Sequence, residues 1–403
     1  MSCARLAAVG NLSTFYESTQ PMQISFLASL EEISASRWNA LCPPDYPFVR
    51  HEFLFALEAS QSAHSAQGWQ PQHLIVERQG ELVAALPLYL KLHSYGEYVF
   101  DWSWADAYKR YGISYYPKLV SAIPFTPCTG PRLLVAAGYS LTELVPLIVE
   151  AIRNRATELQ ASGWHCLFPD TELSTQLSTT ANVQRIGCQF HWFNRNYRDW
   201  DGFVATMNSR KRKNINKERR SVSAQGISFK VKQGEAISRE DWLLFYQLYC
   251  NTYLKRSGHR GYLTEQFFTL LSEQCPQLLV MISAQKQDTT IAASLFFQDA
   301  NTLYGRYWGC LEEYNLLHFE TCYYQGIEYA IKHRLQRFDG GAQGEHKIQR
   351  GFEPVITYSN HWLVRDDFHR AVADFVRQEA EATYAYQQEA RQALPFKEPS
   401  FVE

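Results

Sequence analysis

A chain of 403 residues is too long for one ordinary core and suits two domains of roughly 180 to 200 residues each. Hydrophobic residues at 46% against 20% charged exclude a disordered chain, and apolar runs such as 144–152 fall well short of the ~20 residues that cross a bilayer. The net charge of −2 conceals one local excess, because residues 209–220 read SRKRKNINKERR, a run of cations with a single carboxylate.

From the N-terminus, MSCARLAAVGNLST is too short and polar for a signal peptide, and residues 1–21 read as a tail. Helical segments SASRWNALC and HEFLFALEAS follow, the second opening on His51 and Glu52, which are read as structural. QHLIVERQGELVAALPLYLKLHSYGEYVFDWSW then predicts three antiparallel strands joined by turns, LTELVPLIVEAIRNRATELQ a helix, and WHCLF a strand. After the basic run the same order returns: helices DWLLFYQLYCNTYLKR and TEQFFTLLSEQ, a meander QLLVMISAQKQDTTIAASLFFQDANTLYGRYWG, a helix LLHFETCYYQGIEYAIKHRLQ and a strand RFDGG. A last helix runs over roughly 367–393. The offset between the two passes is about 205 residues, a weak duplication carried by hydrophobic pattern.

The pattern predicts an α/β (α+β) fold with mixed, mainly antiparallel sheets flanked by helices. The first domain is expected at 22–190 and the second, with the C-terminal helix, at 191–403. Nine cysteines without a CxxC pair suggest neither a zinc cage nor a disulfide framework, and fit reduced thiols in the cytoplasm.

SRKRKNINKERRSVSAQGISFKV, HFETCYYQ and FDGGAQGEHKIQRGFEP resemble segments of the FemAB-like acyltransferases of the GNAT superfamily, a group associated with peptidoglycan biosynthesis or recognition. The resemblance covers about residues 22–365. It implies a tandem of two GNAT-like acyltransferase domains that passes an acyl or aminoacyl group from an activated donor to an amine. No cofactor is expected to be held permanently; the donor is a co-substrate, aminoacyl-tRNA or acyl-CoA.

Arg306, Tyr307 and Trp308 lie where a GNAT enzyme carries its pyrophosphate loop. Arg306-x-x-Gly309 matches the first half of that pattern, but Leu311, Glu312 and Glu313 stand where phosphate-cradling groups are needed, just before a helix with Asn315 as its expected N-cap. Two carboxylates at a helix N-terminus repel a pyrophosphate, which disfavours coenzyme A. His318 and Glu320, in the first turns of that helix, are candidate general bases, with a capping or surface role as the alternative. Tyr323 belongs to a helical stripe read as core.

The loop GGAQGEHKIQRG is the densest polar constellation. Its glycines allow close backbone approach, with Gln343, Glu345, His346, Lys347 and Arg350 around them. Lys347 and Arg350, three apart, are expected to clamp a phosphate or carboxylate. Lys347 is the leading candidate for transition-state charge, Glu345 a candidate base, and Lys347 is expected to be mostly exposed. In the first domain Lys91, Asp101, Trp102 and Tyr108 fall where the domains can face each other, beside a Pro-rich wall. The resemblance implies that Lys118 and Arg132 hold an anionic acceptor there; the alternative is that both are surface side chains. The basic run 209–220 suits a phosphate backbone, tRNA included, without base readout. A non-catalytic binding module on the same scaffold is the rival reading. No metal site is expected.

Overall fold

In a computed structural model, which describes residues 21–44, 46–342 and 344–397, the chain runs nearly the same course twice. The first pass is β1 (Gln23–Leu27), α1 (Ala35–Asn39), α2 (His51–Ala59), β2 (Trp69–Pro71), β3 (His73–Arg78), β4 (Glu81–Leu86), β5 (Tyr89–Lys91), α3 (Trp102–Arg110), β6 (Lys118–Ser121), β7 (Leu134–Val135), α4 (Leu141–Glu158), β8 (Gly163–Leu167), α5 (Thr171–Ser178) and β9 (Val183–Phe193). The short α6 (Trp200–Ala205) leads to the basic α7 (Ser209–Ser223). The second pass is β10 (Ile227–Gln233), α8 (Arg239–Ser257), α9 (Glu265–Gln274), β11 (Leu279–Lys286), β12 (Thr289–Gln298), β13 (Thr302–Cys310), a helix α10 over 317–332, β14 (Arg337–Asp339) and β15 (Glu353–Leu363). The long α11 (Asp366–Gln392) closes it.

Local chemistry explains the repeat. Both leading hairpins turn on two residues in the left-handed region, Gln79 and Gly80 in one, Gln287 and Asp288 in the other, the twist that suits two antiparallel strands. In each pass three strands pair antiparallel, β1-β3-β4 and β10-β11-β12. In each, a strand then pairs in parallel with the one after the long helix: β6 with β8, and β13 with β14. Parallel partners need such a crossover.

The last strands are exchanged. β9, from the first pass, lies beside β14 of the second, and β15 lies beside β8 of the first. β9 and β15 pair antiparallel, with Gly187 opposite Thr357 near their centre. The result is one eleven-stranded sheet in the order β10-β11-β12-β13-β14-β9-β15-β8-β6-β5-β2, and residue 190, where the sequence reading ends its first domain, lies inside β9. The halves also share a core: Phe48 and Phe53 of the first pass meet Phe297 of the second at ring separations of 5.2 and 5.5 Å.

Two expectations are corrected. The third strand read into YVFDWSW is replaced by α3, and β5, β6 and β7 occupy that place in the sheets. Aromatic content suggested a strand, yet Trp104 and Tyr108, four apart, bury one face of a helix. The N-cap before α10 is Leu316, in the left-handed region at φ 65°, rather than Asn315. No described helix is long and apolar enough to cross a membrane.

Candidate active site

The cleft follows from a mismatch in strand length. β14 pairs with β13 only at Thr302–Tyr304, while β13 continues to Cys310. On that side residues 305–310 therefore have no strand beside them. A β-bulge makes Arg306 the extra residue of β13, since Leu295 pairs with Tyr307 but Phe296 with Gly305. β14 turns away through Gly340 and Gly341, whose N–H donates to Asp339 Oδ1 at 2.8 Å. Gly341 has φ 84°, which a residue with a Cβ adopts only with strain.

α10 roofs the splay. Residues Glu320–Tyr324 within it form a π-helical turn, a distortion that often accompanies functional sites. Two cavities result. The outer, of about 420 Å³, is lined by Thr252, Lys255, Arg256, Trp308, Cys310, Glu312, Glu313, Tyr314, Leu316, Leu317, His318, Phe319 and His346. The inner, of about 100 Å³, runs from Trp308 and His318 past Ser294, Cys322 and Tyr323 to Phe296, Gly305, Phe338 and Gly340.

The corresponding splay of the first pass is closed. Beyond the β6–β8 pairing, Gly130 bridges to Pro169 in parallel, and Arg132 Nε donates to the carbonyl of Leu167 at 2.8 Å. The rest of the Arg132 guanidinium is taken by carbonyls including that of Cys128, at 2.6 Å, and by the Tyr46 hydroxyl at 3.3 Å. The same Pro-rich loop reaches the second-pass cleft from behind: Arg306 donates to the Phe125 carbonyl at 3.0 Å and to Cys128 Sγ at 3.6 Å.

Arg306, Trp308, His318 and His346 therefore converge on the cleft. Burial, reinforced by Arg256, pushes the His318 imidazole down to about 3; such a ring stays neutral but is a weak base. Burial and Arg350 bring His346 down to about 4, and the Tyr323 hydroxyl lies 2.9 Å from its Nε2. Tyr307 is part of the inner cavity's lining, and its ring packs edge-on to Tyr249 and Phe268.

Lys347 is buried, 1% exposed, contrary to the expectation of a solvent-exposed ammonium. Its stem packs along Gly340, where a Cβ would sit 3.3 Å from Lys347 Cε, and Nζ donates to the Gly341 carbonyl at 2.7 Å. Burial pushes the amine down to about 8, with Asp339 opposing. Arg350 does not clamp a ligand with it, because its donors go to the His346 carbonyl at 2.7 Å and to Glu218 of α7 at 2.8 Å. Glu345 is exposed and accepts from Tyr386 at 2.9 Å. Gln343 lies outside the described residues.

Other predicted residues lie elsewhere. Glu320 is buried against Arg219 of α7, at 2.8 Å. Lys118, fully buried, donates to Ser94 and Glu97 at 2.8 Å and to Asp101, which also accepts from Tyr115 at 2.6 Å. Burial raises Glu97 to about 7 and lowers Lys91 to about 7. Tyr108 packs on Phe368 of α11 at 4.0 Å, and Trp102 lies beside Tyr95 at the surface, 38% exposed. Lys118 and Arg132 are thus interior groups with protein partners.

Sequence reading missed Ser294, Cys322 and Asp339. Burial alone would raise the Asp339 carboxyl, but His191 and Arg306 hold it below the usual range, and it anchors the glycine turn. Its position directly before Gly340-Gly341 was the available signal. Among the described residues no group of three His, Cys, Asp or Glu side chains is placed to hold a metal.

The fold is shared with solved structures of low identity. FemX is 12% identical over 85% of this chain and 98% of its own, with a TM-score of 0.52. The C-terminal domain of an Agrobacterium fabrum protein designated a lysylphosphatidylglycerol synthetase is 9% identical over 86% of this chain and 96% of its own, also at 0.52. A conserved Bacteroides thetaiotaomicron protein of unknown function is 10% identical, covering 85% and 100%, at 0.50. No curated protein sequence matches the chain. The profile of one family, described as peptidoglycan biosynthesis/recognition, matches residues 29–398, so the chain belongs to the FemAB-like family.

Proposed function

We propose that the chain is an N-acyltransferase that moves an acyl or aminoacyl group onto an amine within the β13–β14 splay. The observation that carries this reading is the open second-pass cleft beside a closed first-pass counterpart. The acceptor nitrogen attacks the donor carbonyl carbon. A C–N bond forms as the C–O bond of an ester or the C–S bond of a thioester breaks, and the leaving atom takes the electron pair and the proton the amine gives up. The free edge of β13 offers backbone N–H groups to the developing oxyanion, and the Lys347 ammonium adds positive potential from behind Gly340. A neutral His318 can orient the amine without holding its proton.

Aminoacyl-tRNA is the donor we favour. Arg210, Lys211, Arg212, Lys213, Lys217 and Arg220 on α7 enter no ion pair among the described residues, while the same helix is tied to the site through Glu218 and Arg350. Glu312 and Glu313 at the cavity mouth oppose a pyrophosphate. Lys255 and Arg256 at that mouth favour the second reading, an acyl-CoA donor. The family description supports an amine of peptidoglycan or a related compound as acceptor, and eight free cysteines among the described residues fit a cytoplasmic setting.

The test offers the full chain radiolabelled aminoacyl-tRNAs or acetyl-CoA, with muropeptide amines as acceptors. We expect transfer from tRNA and weak acetyl-CoA binding. A micromolar dissociation constant for acetyl-CoA, about −8 kcal/mol, with competition by free coenzyme A, would promote the second reading. Transfer from neither donor would leave a binding module on this fold.

A further inference from the structure

We infer that the inner cavity is a length gauge for the transferred acyl group, with Phe296 and Phe338 as its end wall and Trp308 and His318 as its neck. The inference rests on the transferase reading and adds which acyl groups fit.

The chamber's shape follows from β12, β13 and α10. Ser294 pairs with Trp308, and Phe296 with Gly305, so these four residues form one continuous floor. Phe338 meets Phe296 at 5.9 Å and shuts the far end. A Cβ on Gly305 would lie 3.1 Å from Phe338 and 3.5 Å from Phe296, so the glycine preserves the space between them. At the near end Trp308 and His318 stand edge to face at 5.4 Å, and Tyr323 meets His318 at 5.4 Å. These aromatic rings separate the 100 Å³ chamber from the 420 Å³ vestibule.

Size and polarity then define the ligand. Since a water occupies about 30 Å³ of liquid, the chamber accepts roughly three water-sized groups. Among the described residues its walls carry no carboxylate; Ser294 Oγ and Cys322 Sγ lie 3.0 Å apart, and the remaining polar lining is Arg306, His318, Tyr307 and Tyr323. A short acyl group with an uncharged side chain fits: acetyl or propionyl from a thioester, glycyl, alanyl or seryl from an ester. A leucyl, phenylalanyl or lysyl side chain does not. Arg306 stands at the chamber wall and makes a cationic side chain still less welcome.

Cys322 allows a test independent of catalysis. The full chain is treated with methyl methanethiosulfonate or its benzyl analogue, and the Cys322 peptide is followed by mass spectrometry. Methyl labelling is expected at least tenfold faster than benzyl. Phe296→Ala should bring the two within about threefold, and Gly305→Ala should slow methyl labelling about tenfold, both variants being checked by thermal melting. In parallel, acetyl- against hexanoyl-CoA and alanyl- against phenylalanyl-tRNA are compared as donors, which also separates the two donor sources. Equal labelling rates in the wild type, or turnover of long and short donors alike, overturns the gauge and leaves the transferase reading intact. Turnover of no donor removes the transferase reading itself, and the acyl role of the chamber with it, whatever the labelling pattern. If Phe296→Ala melts less stably, Phe296→Leu replaces it with the same expected direction.

Discussion

The ammonium of Lys347 and the carbonyl of Gly341 are joined by a 2.7 Å hydrogen bond that pins the turn where β14 leaves β13. A buried cation thus holds open the splay that forms the cleft.

Lys347→Met should loosen that turn. Leaving the Gly341 carbonyl without its donor should lower stability by about 1–3 kcal/mol and reduce transfer more than it reduces donor binding. The amine titrates near 8 when folded, against an ordinary value of 10.5. The unfolded chain therefore holds more protons between those values, and wild-type stability should rise relative to the variant as pH climbs from 8 to 10.5. Denaturant titrations at pH 7 and 10 measure this. Transfer by the wild type should fall above pH 8 as the charge is lost, a limb that the variant lacks.

Arg350 and Glu218 tie the site loop to the basic helix at 2.8 Å, with the Arg350 side chain only 6% exposed. Arg350 also lies 3.6 Å over the Phe319 ring. Arg350→Met should destabilise by about 1–3 kcal/mol, because it removes the charged partner of Glu218, which keeps the Tyr324 hydroxyl as a donor, and uncovers the ring. A double-mutant cycle with Glu218→Gln should return a coupling of roughly 1–3 kcal/mol. A coupling near zero would make the pair incidental.

Changing Arg210, Lys211, Arg212 and Lys213 together to Ala should leave the melting temperature within a few degrees, since none is ion-paired among the described residues. Binding of tRNA should weaken, and the log-log salt dependence should flatten by about 0.9 for each duplex phosphate that the helix no longer neutralises. Unchanged affinity would reduce the helix to a solvated face.

Acid should destabilise the fold through its interior histidines. Burial lowers His165 and His318 to about 3 and His191 to about 4, against an ordinary 6.5. The stability these neutral rings supply is complete above pH 6.5. It is lost as pH falls toward those values, at up to about 1.4 kcal/mol per pH unit for each ring. Denaturant midpoints between pH 7 and 4 should fall accordingly, and His165→Asn should shallow the slope.

Much of this fold was legible in local pattern. The two-residue turns at Gln79-Gly80 and Gln287-Asp288, the helix over 317–332 and the strand at Arg337–Asp339 all follow from periodicity and turn chemistry. The exchange of β9 and β15 was not, because nothing in Val183–Phe193 encodes which distant edge it meets. The burial of Lys347 was hidden for a related reason: its stem is covered by packing against Gly340 and by α10, none of which spacing reveals. Lys118 reads as an acceptor-holding or surface cation because its partners Ser94, Glu97 and Asp101 lie in a segment whose irregular course local pattern does not reveal.

The exchanged strands also bear on how the chain is made. His165 on β8 and His361 on β15 touch at 2.8 Å across 196 positions of sequence. During synthesis at roughly 5–20 residues per second, β8 must wait about 10 to 40 seconds for its neighbour, with an unpaired edge and apolar faces uncovered. The amino-terminal half therefore emerges as an incomplete sheet whose missing strand is still in the ribosome. Nascent chains stalled before residue 353 should be clients for chaperones, and either half expressed alone should aggregate while the two expressed together can complete each other.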